Sequence, residues 1–107
     1  MWCNRIVDKI AEMVIGLCRI TLALHDNRSL KGKRQVLKSV IARVKNSFNV
    51  SIAEVGENDI WQRAVVGVAA VGNDRHFINS KMDKVINLIE GLNSAEVIST
   101  ELEIMNF

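Results

Sequence analysis

Between Val14 and His25 apolar and polar positions alternate, with Cys18, Ile20, Leu22 and Leu24 on one side and Leu17, Arg19 and Thr21 on the other. A period of two predicts a half-buried strand. Asp26-Asn27-Arg28 is turn chemistry, and Ser29 is a candidate N-cap. The period then becomes helical. Leu30, Leu37, Val40, Ile41, Val44 and Phe48 fall within one stripe, which predicts a helix ending at Asn49. Val50 to Gly56 reads as a short strand and Glu57-Asn58-Asp59 as a polar turn. Ile60 to Val71 reads as a longer strand. Its Ala64, Val66, Val68 and Ala70 share one face, and Trp61, Arg63, Val65 and Gly67 the other. Gly72-Asn73-Asp74 marks a helix start. Ile78, Met82, Val85, Ile89 and Leu92 form the second stripe, closed by Gly91-Leu92-Asn93. Ala95 to Phe107 is the last strand, with Ile98, Leu102 and Ile104 inward and Ser99, Glu101 and Glu103 outward.

The order strand–helix–strand–strand–helix–strand has one crossover helix in each half. Right-handed crossovers put both helices on one face of the sheet. The predicted fold is therefore α+β: a ferredoxin-like βαββαβ unit with a four-stranded antiparallel sheet in the order 4-1-3-2. Its second sheet face is expected to be bare. Residues 13–107 form this single domain. Residues 1–12 read as an N-terminal extension in which Trp2, Ile6 and Ile10 recur at a spacing of four, with Met13 as an alternative start.

Composition narrows the class. The chain has 107 residues, 49% hydrophobic and 24% charged, enough for one core. Two cysteines, Cys3 and Cys18, do not make a disulfide framework, and Cys18 lies in an apolar strand pattern that suits a buried thiol. The stretch from Val14 to Leu24 is broken by Arg19 and Thr21 and is too short to span a bilayer. No small-residue cleavage site follows it. The expected location is the cytoplasm, with no membrane partner.

The formal net charge is only +2, but its distribution is uneven. Arg28, Lys31, Lys33, Arg34, Lys38, Arg43 and Lys45 are half of the fourteen cations, and no acid interrupts them. A helix N-terminus already carries partial positive charge, and acids normally sit there. Cations crowded at that end point to an anionic partner, foremost a phosphate backbone. At 100° per residue Lys31, Arg34, Lys38 and Lys45 share one stripe beside the apolar one. Lys33 lies nearer the core side and Arg28 in the preceding loop. The candidate RNA-binding residues are thus Arg28, Lys31, Lys33, Arg34, Lys38 and Lys45. The bland alternative is a solvated helix face.

The bare sheet face is the second candidate. Leu17, Arg19, Trp61, Arg63, Val65 and Glu101 are expected on it, as the interface of a homodimer. With one Trp on it, no Tyr in the chain and two acids nearby, it makes a poor base-stacking platform. His25 and His76 lack partner spacing and read as surface or cap residues. No zinc spacing, phosphate-cradling glycine loop or nucleophile–base pair is present. Glu101 and Glu103 read as salt-bridge partners of Arg19 or Arg63. Neither enzymatic activity, metal nor cofactor is expected.

Several stretches match a known pattern. Arg28-Ser29-Leu30-Lys31-Gly32-Lys33-Arg34 resembles the SLK-x-KR element of the YlxP-like family. Phe48 to Val55, Asp59 to Ala64 and Val68 to Asp74 are similar to its later signatures, in order, from Met13 to about Phe107. The resemblance implies a ferredoxin-like fold and no catalytic residues. It also implies a setting beside translation factors, with a proposed role in small-subunit assembly. The expected function is a non-enzymatic RNA- or ribosome-binding module with a small-ribosomal-subunit partner. The alternative is a dimeric regulatory module that binds a small metabolite or protein through its open sheet face.

Overall fold

The computed structural model describes residues 12–57 and 59–107. Its elements are β1 (Val14–Ala23), α1 (Leu30–Ser47), β2 (Ser51–Gly56), β3 (Arg63–Gly72), α2 (Arg75–Gly91) and β4 (Glu96–Asn106). The strands form one antiparallel sheet in the order β2-β3-β1-β4, which is 4-1-3-2 read from the other edge. This is the ferredoxin-like arrangement that the hydrophobic pattern predicts. The first eleven residues of the expected extension lie outside the described residues.

Local chemistry sets the helix ends. Ser29 is extended, and its Oγ accepts from the Gly32 N–H at 3.0 Å, which satisfies one orphan donor of α1. Asp74 does the same for α2, accepting from the His76 N–H at 2.9 Å. Both helices bury their stripes on one sheet face. Leu37, Val40 and Val44 of α1 and Ile78, Met82, Val85 and Ile89 of α2 meet Val14, Cys18, Ile20 and Leu22 of β1 and Ala64, Val66, Val68 and Ala70 of β3. Gly16 lets α2 lie this close, because a Cβ there would stand 2.4 Å from Ile78 Cγ2.

Two strands differ from the sequence pattern. The third starts at Arg63, not Ile60. The Ile60 carbonyl accepts from the Lys33 ammonium at 2.8 Å, which draws this stretch toward α1, and the chain reaches β1 only at Gln62, whose carbonyl accepts from the Leu24 N–H at 2.9 Å. In β4 a register shift opposite Thr21 and Leu22 displaces Ile98. Val97 and Ile104 pack on the core instead, while Ile98 and Leu102 are 48% and 41% exposed. Among the described residues the strand is an edge, paired with β1 alone, so its inward positions are poorly covered.

Candidate nucleic-acid interface

The α1 cations behave as two sets. Lys31, Arg34, Lys38 and Lys45 fall within an arc of about 60° and span about 21 Å of helix. All four are exposed. Their flank borders β2: Arg34, Lys38 and Lys45 line a groove of about 440 Å³ with Leu37, Ile41 and Ala42, and Glu54 of β2 closes it. Arg28, exposed in the loop before the helix, extends the row; Arg43 projects from another side of α1. Among the described residues none of these six pairs with a carboxylate. The first turn of α1 holds no acid.

Lys33 is the exception, and its assignment to an RNA surface is corrected. Its side chain is only 2% exposed. The ammonium donates to the Glu57 and Ile60 carbonyls and stands 3.2 Å from Glu54 Oε2. That oxygen is buried without a hydrogen bond of its own, so the contact is an ion pair rather than a hydrogen bond. A charge so placed is stable only because two carbonyls and a carboxylate surround it. Lys33 therefore clamps the β2–β3 connection to α1. Glu54 was missed by the sequence reading, although its alternation with Ile52 places it on the helix side of β2.

Trp61 is also relocated. It belongs to the turn before β3, not to the strand, and is half-exposed. Asn27 ties it to the start of α1: Nδ2 donates to the Trp61 carbonyl at 2.5 Å and to the Ser29 carbonyl at 2.8 Å. The Asn27 carbonyl in turn accepts from Gln62 Nε2 at 3.3 Å. The Trp61 turn and the cation-rich N-terminus of α1 thus form one bonded unit. Asn27 carried no signal beyond turn chemistry, because its partner is 34 residues away.

Among the described residues no helix covers the other sheet face. By register Ile15, Leu17, Arg19 and Thr21 of β1 share it with Arg63, Val65, Gly67, Ala69 and Val71 of β3 and Ser99, Glu101, Glu103 and Met105 of β4. Five of the six expected interface residues are there; Trp61 is the one that the structure removes. Arg19 and Glu101, cross-strand neighbours, pair at 2.9 Å with side chains 61% and 68% exposed. The apolar row Val71–Ile15–Met105 was not singled out from the sequence, though its alternation with the core positions marks it.

The remaining candidates carry no chemistry. His25 is exposed and sits 2.5 Å from Glu96 Oε1, and His76 lies in the first turn of α2. Cys18 is buried, and burial, with a smaller contribution from Asp83, pushes its thiol above the usual range. Such a thiol stays protonated and unreactive. Among the described residues no group of three His, Cys, Asp or Glu is placed to hold a metal, and no helix is long and apolar enough to cross a membrane.

Similarity to known proteins follows the same boundaries. Residues 15–102 match the family described as "Protein of unknown function (DUF503)". The "Uncharacterized protein YlxP" of Bacillus subtilis (strain 168) is 39% identical over 90 residues, covering 84% of this chain and 98% of the relative. Among solved structures, the structural-genomics protein YJCS superposes with a TM-score of 0.51 at 6% identity, over 83% of this chain and 96% of its own. A de novo designed protein, Foldit4, gives a TM-score of 0.43 at 17% identity, over 90% and 96%. The YJCS likeness is one of fold alone. With the family match running over most of the chain and 39% identity to a relative aligned over nearly its whole length, this protein belongs to the DUF503 family, that of YlxP.

Proposed function

We propose that this protein is a non-enzymatic RNA-binding module that docks on structured RNA, with the small ribosomal subunit as its partner. The observation that carries the reading is the row Arg28, Lys31, Arg34, Lys38 and Lys45, none of which forms an ion pair with a carboxylate of the described residues, although Glu54 closes the groove beside three of them. Like charges along one helix flank repel one another, and Lys31 and Arg34 near the N-terminus also oppose the helix dipole, which Lys45 in the last turn complements. A phosphate backbone reverses both penalties and releases counterions on contact. The flank is about 21 Å long, a length suited to tracking successive phosphates. Trp61, bonded through Asn27 to the same end, offers an indole on which an unpaired base can stack. Lys33 takes no direct part; it holds the Trp61 turn in place.

The test is fluorescence anisotropy with a small-subunit rRNA stem-loop across a salt series. The triple variant R34Q/K38Q/K45Q should bind more weakly and flatten the slope of log K against log salt by about 2 to 3. Wild-type protein should co-sediment with small subunits at low salt and leave them at high salt. Equal binding by wild type and triple variant, or no association at any salt, refutes the reading.

A further inference from the structure

We infer that the bare sheet face is closed by a second copy of this chain, packed sheet to sheet about a twofold axis that runs along β1. The face has an apolar end and balanced charge. Val71, Ile15 and Met105 form one row across three strands, and Leu17 and Ala69 lie in the next. Val71 is 62% exposed, Leu17 39% and Met105 38%, and Val55 of the edge strand β2 leans over Gly67 with 57% of its surface open. The charges on the three longer strands are Arg19 and Arg63 against Glu101 and Glu103, which sum to zero. A face of no net charge, turned away from the α1 cations, offers nothing to a polyanion. It can meet its own copy without repulsion.

The axis along β1 follows from the position of the charges. Rotation about β1 places β1 over its counterpart and β4 over the partner's β3. Ile15 and Leu17 then meet their own copies. Val71 meets the partner's Met105. Arg19, already paired with its own Glu101 one strand away, finds the partner's Glu101 at the same lateral distance on its other side. The two arginines and two glutamates form a neutral ring around the axis. An axis across the strands can instead stack like acids, Glu101 on its own copy or on Glu103, whereas rotation about β1 sets Glu103 over the partner's Ala69. The three strands that overlap about this axis, β3, β1 and β4, are ten or eleven residues long and about 4.8 Å apart, a footprint of roughly 500 Å² before side-chain relief, against the ~800 Å² per partner of a standard interface.

The experiment is analytical ultracentrifugation of the full chain with two surface charge reversals. Wild type should sediment at twice 12.0 kDa at micromolar concentration. R19E gives a ring of four acids and E101R a ring of four bases, so each alone should raise the dissociation constant by about 100-fold or more. An equimolar mixture restores two charges of each sign, and the dimer should return as a mixed species; R19E/E101R should dimerise by itself. Circular dichroism of each variant establishes that the monomers are folded. A wild type that stays monomeric well above micromolar concentration overturns the inference. So does a dimer insensitive to both reversals, which would join copies elsewhere. A chain that dimerises only after removal of residues 1–11 assigns the face to that segment and overturns it as well.

Discussion

Lys33 shows how far one side chain can depart from the reading of its neighbours. It belongs by sequence to a run of cations, yet it alone is buried among oxygens. Removing its ammonium leaves the Ile60 carbonyl without a donor, takes one of two donors from the Glu57 carbonyl and leaves Glu54 without a counter-charge. K33M should therefore lose about 3 kcal/mol in urea unfolding, at the low end for a broken buried pair because Glu54 keeps some contact with water. K33M/E54L should recover much of that loss, since an apolar pair of similar volume replaces the ion pair. Equal stability of wild type and K33M would show that the clamp does not hold the loop. The neighbouring Lys31 and Arg34, both exposed, should move stability by no more than about 0.5 kcal/mol when neutralised.

At the scale of elements, hydrophobic period alone located all four strands and both helices. The stripe Leu37, Val40 and Val44 and the alternation Ala64, Val66, Val68 and Ala70 are buried as their spacing requires. Sequence reading failed where a side chain overrides the local period. Ile60 and Trp61 continue a strand-like run, but Lys33 and Asn27 draw their carbonyls away from the ladder. These bonds link residues 27 and 34 positions apart, and no window of sequence contains both ends. Register slips are equally invisible: Ile98 fits the inward alternation, and only the bulge beside Thr21 ejects it. The cationic flank, by contrast, was legible because four of its members sit on one helix with fixed angular spacing. Close packing at β1 gives a further test. G16A should cost about 1 to 3 kcal/mol, read as a lowered melting temperature, because the new methyl meets Ile78 of α2.

For the whole molecule the helix layer and the bare sheet face point in opposite directions. Dimerisation through the face leaves both copies of α1 outward, one on each side of the assembly. Two stacked sheets and their helices separate the flanks by roughly 30 Å, since each layer is about 10 Å thick. The dimer would then present two docking flanks facing away from each other, suited to bridging separate RNA segments rather than gripping one. The two proposals fail independently. R19E should leave the salt slope for RNA unchanged at concentrations where wild type is itself monomeric, and R34Q/K38Q/K45Q should sediment as wild type does.

The outer margin of β4 carries a different liability. Eleven residues of backbone present donors and acceptors on a side where no strand of the described residues pairs, and neither lysine nor proline is among them. Such a rim is a template onto which a partly opened neighbour can zip, chain after chain. Its guards are Glu96, Glu101 and Glu103, all on one strand, with Ile98 bare between them. A positive gatekeeper there should raise the solubility ceiling: I98K is expected to suppress thioflavin-positive aggregate in concentrated, warmed stocks while shifting the melting temperature by less than about 2 °C. Unchanged aggregation would place the nucleating segment elsewhere in the chain.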